Sequence, residues 1–269
     1  MQSATPLRPQ PTEATKVYVI DSANAAWKRS SSEGIHFECQ VLLSGEDGGP
    51  EAMRFRFDDC PSVYAHMHLT AQFQLLLSGA MDFPRGIKHL QAPGLHYTDH
   101  NMPYGPFAVS GGHDMLVLHP KAGGIISMAQ SYARREINLQ GRLLATEETP
   151  TEWENLPGVP GAQFKHLIPY GHGPTGVLVK VSARAELKMP APTFGRYEVV
   201  VSGSALIEGK PITAPGFRYS IGPEPASPII SLEEDTQIAF LSFDQEALAG
   251  GLEHPVLGIE AAAAMARSI

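Results

Sequence analysis

The sequence predicts an all-β protein made of two similar barrel domains in tandem. Two observations support this class. Short segments that alternate apolar and polar residues are separated by turns rich in glycine and proline, of which the chain has 26 and 23. The same order of segments then returns about 125 residues later. A chain of 269 residues is long enough to form two modest cores.

The first segments bear on the compartment and on the partners. Residues 1–15 lack an apolar stretch, so we expect a disordered tail and no secretory signal. The two cysteines, Cys39 and Cys60, indicate buried free thiols in a cytoplasmic protein. A net charge of −8 argues against binding to nucleic acid or to an anionic membrane. No apolar run approaches the roughly 18 residues that a membrane span needs.

The strand pattern divides the rest of the chain into four parts. We expect an N-terminal barrel over 16–121, a connector over 122–150, a C-terminal barrel over 151–245 and a helical segment over 246–269. The connector contains SMAQSYARREI and is expected to form one short helix. The alanine-rich end, 259–269, has high helix propensity.

The strongest internal repeat pairs two segments of the N-terminal barrel with two of the C-terminal barrel. HMHLTAQFQLLLSG (66–79) aligns without gaps on PAPTFGRYEVVVSG (190–203). APGLHYTDHNMPYGPF (92–107) aligns without gaps on APGFRYSIGPEPASPI (214–229). Features that both copies keep are expected to serve the fold, and features found in one copy are candidates for function.

Residues 66–79 contain the main functional candidates. His66 and His68 are two apart on a predicted strand, so both point to one face, as do Gln72 and Gln74. Paired neutral imidazoles suit zinc, iron, copper and nickel. A barrel interior is normally filled by apolar side chains, so four inward polar groups indicate a metal or ligand site or a hydrated network.

The spacing of this segment resembles the first motif of the cupins, HxH(x)3-4E(x)6G, except that Gln72 stands where the family has glutamate. The duplication extends the resemblance to an RmlC-like bicupin over about residues 16–245. It implies two jelly-roll barrels, each a double-stranded β-helix. The lead-in from Trp153 to Leu167 is similar to ChrR-type cupins.

The second cupin motif, G(x)5PxG(x)2H, supplies a further histidine ligand in the family. Here Tyr104 falls at that position, and the sequence leaves three alternatives for the missing ligand: Tyr104, His100 from the turn, or His96 from the strand. His96 lies on a polar face that is either the barrel interior or the solvent side. His89, His113 and His119 have no motif support and are expected to be structural or exposed.

The second copy lacks this residue set. His66 and His68 are replaced by Pro190 and Pro192, so no metal site is expected there. Arg196 takes the place of Gln72, and Gly222 takes the place of His100. Arg196 and Glu198 share one strand face and are expected to pair inside the second barrel.

The resemblance implies a divalent transition metal, with Fe2+ favoured over Zn2+, Mn2+ or Ni2+. The expected ligands are His66, His68, Gln72 and either Tyr104 or His96, with Tyr104 and His100 as catalytic residues. Sites with uncharged ligands resemble those of dihydroxyacetophenone-dioxygenase-like cupins, in which a substrate enolate or phenolate supplies the negative charge. The expected function is therefore a metal-dependent dioxygenase acting on a small organic substrate.

Two alternatives from other classes remain open. One is a metal-free isomerase or lyase with His66 or His68 as base and Tyr104 as acid. The other is a non-enzymatic small-molecule-binding cupin. If a metal is present, Met102, Pro103 and Phe107 are expected to line the entrance for a small organic substrate. Association of sheet edges predicts a homodimer.

Overall fold

The computed structural model describes residues 15–248 except 33, 84–88, 129–136, 147–151 and 172. The predicted tail and the predicted helix at 259–269 lie outside the described residues, as does most of the connector segment expected to be helical. The described chain is an all-β structure, as predicted, with short 3-10 helices at Ser22–Asn24, Glu46–Gly48 and Glu246–Leu248.

The N-terminal half forms one nine-stranded sheet and one two-stranded sheet. Its strands, numbered in chain order after the separate β1 (Lys16–Asp21), are β2 (Lys28–Ser32), β3 (Ile35–Ser44), β4 (Glu51–Phe57), β5 (Cys60–Val63), β6 (His66–His68), β7 (Gln72–Asp82), β8 (His89–Gln91), β9 (Gly94–Thr98), β10 (Phe107–His119), β11 (Ile125–Ser127) and β12 (Leu143–Ala145). The main path of the large sheet runs β12-β9-β7-β10-β4-β3-β2, and β6 pairs with β11.

The C-terminal half repeats this plan with a seven-stranded sheet, β1-β20-β17-β22-β15-β14-β13, and a four-stranded sheet, β16-β21-β18-β19. Its strands are β13 (Glu154–Asn155), β14 (Gln163–His166), β15 (Thr175–Val181), β16 (Glu186–Leu187), β17 (Arg196–Ser202), β18 (Ser204–Ile207), β19 (Lys210–Thr213), β20 (Gly216–Ile221), β21 (Ile229–Ser231) and β22 (Thr236–Ser242).

The strand pairing differs from the predicted division of the chain at two places. β1 was placed in the N-terminal barrel but pairs antiparallel with β20 of the C-terminal sheet along its whole length. β12 was placed in the connector but pairs with β9 of the N-terminal sheet. Because β9 and β20 are equivalent in the repeat, each barrel closes the same edge with the strand that leads into the other copy. Such an exchange cannot be read from alternation along the chain, because that pattern reports burial and not the partner strand.

The two barrels pack through the outer faces of β7, β9, β17 and β20. Alternate residues of these strands meet in one shared core, which includes Phe73, Leu95, Tyr97, Val199, Phe217 and Tyr219. The opposite parity, which contains the candidate site in the first copy, therefore faces the inside of each barrel. Tyr97 and Tyr219, the tyrosines that both copies keep, are buried in this core. Tyr197, which takes the place of Phe73, donates its hydroxyl to the carbonyl oxygen of His119 at 2.8 Å across the interface.

Arg142 joins the two halves by ion pairs. Its guanidinium lies 2.8 Å from Asp99 of the N-terminal half and 2.5 Å from Asp244 of the C-terminal half. Burial opposes ionisation of Asp99, but hydrogen bonds from Arg142 and Tyr97 outweigh it and lower the pKa of that carboxyl. The interface is thus held by a buried apolar layer and by this charged contact at its margin.

The glycine that ends the first cupin-like motif has a structural role in both copies. Gly79 has φ +77°, and a Cβ there would lie 2.5 Å from the carbonyl oxygen of Ser110. Gly203 has φ +76° and an equally close neighbour in Thr236. Only glycine fits this left-handed, crowded position. Within the described residues, no helix is long and apolar enough to cross a membrane.

Candidate active site in the N-terminal barrel

The backbone holds Tyr104 directly opposite His66. The two residues form an isolated β-bridge, in which His66 N donates to Tyr104 O at 3.1 Å and Tyr104 N donates to His66 O at 3.0 Å. β6 is short and pairs with β11 on its other side, so His66 and His68 both point inward. Tyr104 lies among buried apolar side chains that include Phe107, Val109 and Met115.

The hydroxyl of Tyr104 is the centre of a buried polar cluster. Four side-chain nitrogens lie within hydrogen-bonding distance of it: His66 Nε2 at 2.6 Å, His68 Nε2 at 3.1 Å, Gln72 Nε2 at 2.9 Å and Gln74 Nε2 at 2.8 Å. All five side chains are buried. The residues predicted to face inward from 66–79 therefore converge on the hydroxyl oxygen of Tyr104, which is one of the three candidates for the missing ligand.

The protonation pattern of His66 follows from its second nitrogen. Nδ1 lies 2.8 Å from the carbonyl oxygen of Tyr64, which can only accept, so Nδ1 carries the proton. Nε2 of the neutral ring is then an acceptor, and the Tyr104 hydroxyl donates its hydrogen bond to it. This arrangement, in which a carbonyl fixes the tautomer and aims a lone pair at the centre, is the one found for histidines that bind metals.

The cluster contains more acceptors than its own donors can satisfy. The Tyr104 oxygen donates one hydrogen bond and accepts two, and His66, Gln72 and Gln74 use all three. His68 Nε2 lies 3.1 Å from the hydroxyl, but the hydroxyl has no further hydrogen bond to offer it. The carbonyl oxygen of Gln72 is a buried acceptor without a partner; His68 Nδ1 also has none, and one of the two nitrogens of the neutral His68 ring is an acceptor. Unpaired buried acceptors of this kind indicate a missing electrophilic or hydrogen-donating group.

Burial keeps the whole cluster uncharged near neutral pH. It lowers the pKa of His66 to about 4 and that of His96 to about 3, and it also lowers the pKa of His68. Burial raises the pKa of Tyr104, against the opposing effect of the hydrogen bonds from Gln72 and Gln74. The imidazoles are thus available as neutral ligands or bases, and the phenol retains its proton until a cation or a strong base is present.

His96 lies one layer behind the centre. Its Nδ1 donates to Gln74 Oε1 at 2.7 Å, and its ring centroid is 5.0 Å from that of Tyr104. The polar face of β9, which the sequence left as either the barrel interior or the solvent side, is therefore the interior face. His96 orients Gln74 rather than reaching the Tyr104 oxygen, so the structure does not place it beside His66 and His68 as a direct ligand.

One member of the cluster was not identified from the sequence. His119 is buried with its ring centroid 5.1 Å from that of His68, and its Nδ1 lies 3.0 Å from Thr70 Oγ1. It was predicted to be structural or exposed. Alternation could have indicated it, because Met115, Val117 and His119 share the interior face of β10. Glu51 lies behind it, 4.0 Å from its Nε2, and burial raises the pKa of that carboxyl to about 7.

Two predicted placements need correction. His100 is half-buried in the turn after β9, and no ring contact or hydrogen bond joins its side chain to the Tyr104 cluster in the part of the chain described. Phe107 was expected at the entrance but is buried at the base of the site, with its ring stacked on Tyr104. Met102 and Pro103 are half-buried in the turn.

The histidines outside the motif and the cysteines have simple settings. His89 is exposed and pairs with Asp82, whereas His113 is buried against Phe57. Cys39 and Cys60 are free, as predicted, and half-buried rather than buried.

The interior of the second barrel is ionic. Arg196 Nε donates to Glu198 Oε1 at 2.9 Å, which confirms the predicted pair. Arg218, the equivalent of His96, contacts the other oxygen of the same carboxylate and also bonds Glu208. The equivalent of Tyr104 in the gapless alignment is Ala226, so this barrel lacks the central hydroxyl.

Two β-barrels with exchanged lead-in strands and one polar centre define a double-barrel protein with a single candidate site. That fold is the bicupin fold, as solved structures with the same topology indicate. A proposed dioxygenase of Nostoc punctiforme superposes with a TM-score of 0.63 at 14% identity, covering 91% of this chain and 88% of its own. Neither a protein-family model nor a curated protein sequence matches the chain.

Two further solved structures are similar. Oxalate decarboxylase from Lactobacillus farciminis, in a formate complex, gives a TM-score of 0.58 at 10% identity and covers 88% of this chain and 87% of its own. A bacterial pirin from Escherichia coli, in complex with nickel(II), gives 0.52 at 10% identity and covers 85% of this chain and 99% of its own. At these identities the likeness establishes the fold and leaves the reaction to the residues of the site.

The fold raises the question of whether these residues fit a metal ion. In the described residues, no group of three or more His, Cys, Asp and Glu side chains could hold one. A set that includes Gln72 and Tyr104 has suitable atoms: Nε2 of His66, His68 and Gln72 all lie around the Tyr104 oxygen, and Oε1 of the same Gln72 amide is buried and without a hydrogen-bond partner. Imidazole with oxygen ligands suits iron, nickel, copper and zinc.

Proposed function

We propose that the N-terminal barrel is the active site of a metal-dependent oxidoreductase of the dioxygenase type that acts on a small organic substrate. His66 and His68 would hold one divalent transition metal, Fe2+ favoured, with Gln72 Oε1 and the Tyr104 oxygen completing the protein ligands. The observation that carries the proposal is the surplus of buried acceptors around the Tyr104 hydroxyl, and above all the unpartnered Gln72 oxygen.

The absence of a carboxylate in the cluster bears on the substrate. Uncharged ligands leave a divalent ion with its full positive charge, apart from that of any Tyr104 phenolate. A substrate that binds as an anion, such as the enolate of a diketone or a phenolate, would balance this charge in a buried site. When bound, the ion supplies Lewis acidity and, if redox-active, a site for oxygen chemistry.

The chain's own residues have separate roles in this proposal. His66, fixed as the Nδ1–H tautomer by the Tyr64 carbonyl, would present its Nε2 lone pair to the ion, and Tyr104 would contribute its hydroxyl oxygen. Gln74 donates to the same oxygen and is itself held by His96, so the oxygen keeps its position in either protonation state. The buried aromatic side chains around Tyr104 keep water out of the centre.

Metal content is the first test. Protein purified without chelator should retain a transition metal in stoichiometric amount. The double variant His66→Ala/His68→Ala should lose it, whereas His89→Ala, which removes an exposed histidine paired with Asp82, should not. Less than about a tenth of an equivalent in the folded wild-type protein, before and after incubation with Fe2+, Mn2+, Ni2+ and Zn2+, would overturn the proposal.

Spectroscopy and oxygen uptake test the ligand and the reaction. A Tyr104 phenolate on Fe3+ would give a visible charge-transfer absorption that Tyr104→Phe abolishes and Tyr64→Phe retains. Oxygen consumption on addition of 2,4-pentanedione, a simple enolisable diketone, tests the substrate class. Tyr104→Phe with an unchanged spectrum would remove Tyr104 from the ligand set.

A metal-free acid–base enzyme is a second candidate, because Tyr104 and His66 form a close hydrogen-bonded pair of 2.6 Å. In that function Tyr104 is the acid and His66 the base for an isomerase or lyase. Chelator-treated protein that exchanges the α-hydrogens of an enolisable ketone in D2O, and loses this activity in Tyr104→Phe, would favour it over the oxidoreductase.

A further inference from the structure

We propose that the C-terminal barrel contains a binding site for a small carboxylate anion, formed by Arg196 Nη2 and the hydroxyl of Ser220. The two residues are opposite each other on β17 and β20, on the face that points into the barrel. Both are buried, at 3% and 0% exposure. Arg196 Nη2 and Ser220 Oγ are hydrogen-bond donors that have no hydrogen-bond partner in the described structure.

The rest of the Arg196 side chain is occupied. Its Nε donates to Glu198 Oε1, and its Nη1 donates to the carbonyl oxygen of Pro190 at 2.9 Å. Nη2 lies 2.9 Å from the same Glu198 oxygen but without the direction of a hydrogen bond, since Nε already uses that oxygen. The N–H of Nη2 that points away from Glu198 is therefore free to bind a ligand.

Two guanidinium groups and two carboxylates lie around this position, and both carboxylates contact Arg218. One carboxylate, Glu198, is shared by the guanidinium groups of Arg196 and Arg218. The second carboxylate, Glu208, is about a third exposed and bonds the far side of Arg218. Burial lowers the pKa of Arg196, against the opposing effect of the charge and hydrogen bond of Glu198, and the nearby Arg218 charge lowers it further.

The repeat explains why this position lacks a protein acceptor. In the first barrel the residue equivalent to Arg196 is Gln72, whose amide donates to the hydroxyls of Tyr104 and Thr98. In the second copy His66, His68 and Tyr104 are replaced by Pro190, Pro192 and Ala226, which are smaller and have no side-chain acceptor. The substitution removes polar partners from the interior and puts a guanidinium at the Gln72 position, while Ser220 keeps the hydroxyl of its equivalent, Thr98.

The number of donors and the charge identify the class of ligand. Two free donors match the two oxygens of one carboxylate, and a single negative charge matches the partly compensated guanidinium. A phosphate dianion would bring twice the charge and more oxygens than this set of donors can bond. The ligand is therefore expected to be a small monocarboxylate, for which acetate is the probe.

The test uses the full-length chain, as purified and again after chelation, with acetate compared against chloride at equal ionic strength. Acetate at about ten times its dissociation constant should raise the thermal midpoint by about 2–5 °C and give saturable heat in calorimetry. Ser220→Ala removes a hydroxyl without a partner, so it should fold normally and lose at least half of that shift. Ser204→Ala, the control, removes a buried hydroxyl bonded to Glu233 and should keep the acetate shift.

Each other outcome would overturn the proposal. An equal effect of chloride would mean a general ionic effect, and a larger effect of phosphate would mean the wrong class of anion. A shift that Ser220→Ala retains in full would place acetate elsewhere, and no shift or heat in the wild type would mean that no such site exists. Because the measurement is repeated on chelated protein, its outcome is independent of whether the N-terminal barrel holds a metal.

Discussion

Replacing Gln72 by glutamate restores the carboxylate that the cupin motif has at this position and should strengthen metal binding. The side chain keeps its shape and stays fully buried. The attraction between unit charges about 4 Å apart is about 4 kcal/mol at an effective dielectric constant of about 20. Removing a carboxylate from water costs several kcal/mol. For a divalent ion we expect the attraction to exceed the desolvation cost by about 1.5–3 kcal/mol, which corresponds to about 10- to 100-fold tighter metal binding.

The same substitution should destabilise the protein when no metal is present. Gln72 donates only to Thr98 and Tyr104, neither of which is charged, so the new carboxyl would have a raised pKa. Because the pKa of the new carboxyl is raised in the folded state, the unfolding free energy of the variant is little changed below about pH 4, where the carboxyl is protonated in both states. The stability is then lost as the pH rises through the folded-state value. At pH 7 we expect a loss of about 2–3 kcal/mol in urea unfolding, which added metal should reverse.

The matched control is Gln74→Glu. Gln74 lies on the same face of β7 and contacts the same hydroxyl, but its carbonyl oxygen already accepts from His96. This variant should be destabilised without gaining affinity for Zn2+ or Mn2+ in competition with a chelating dye. Equal gains in the two variants, or no gain in Gln72→Glu, would refute the assignment of Gln72 Oε1 as the position that faces the ion.

Three other substitutions test the structure. Tyr104→Phe leaves a histidine and two amides without their shared partner and should lower the unfolding free energy of chelated protein by about 2–4 kcal/mol in urea, whereas no loss would contradict the buried cluster. Arg142→Ala removes the bonds to Asp99 and Asp244 and should cost about 2–3 kcal/mol at pH 7. Because the pKa of Asp99 is lowered in the folded protein, the cost should shrink as the pH falls below the unfolded-state value of about 4, and a pH-independent cost would contradict this. His113→Leu should be nearly neutral at pH 7 but about 2 kcal/mol more stable than wild type at pH 5, because burial lowers the pKa of His113 to about 4 while the unfolded chain titrates near 6.5. Stability–pH profiles of His113→Leu and wild type that run parallel would show that His113 does not destabilise the folded protein at acidic pH.

The sequence predicted the parts of the site that depend on alternation within one strand. His66, His68, Gln72 and Gln74 were expected to face inward, and they do. It could not rank Tyr104, His100 and His96, because that choice depends on how the turn after β9 crosses β6. The bridge between Tyr104 and His66 brings the Tyr104 hydroxyl within hydrogen-bonding distance of both motif histidines. The internal comparison of the two copies was more informative, since it separated the glycine and tyrosine positions of the fold from the polar side chains of one barrel.

The strand exchange was the main feature that the sequence left undetermined. Alternation indicated that residues 16–21 form a strand, but its partner depends on which sheet edge is uncovered after both barrels have formed. The pairing of β1 with β20 joins residues some 200 positions apart. The helix predicted in the connector falls largely on residues outside the described ranges.

The reciprocal pairing of β1 with β20 and of β12 with β9 also bears on how such a chain arises. A single-barrel ancestor with the same lead-in strand would leave one edge bare, and two copies would each donate that strand to the other as a domain-swapped pair. Joining the two genes end to end preserves every one of these contacts within one polypeptide. One half is then free to diverge chemically, because the other half still depends on it to fold, and selection keeps both barrels even when only one carries a histidine cluster.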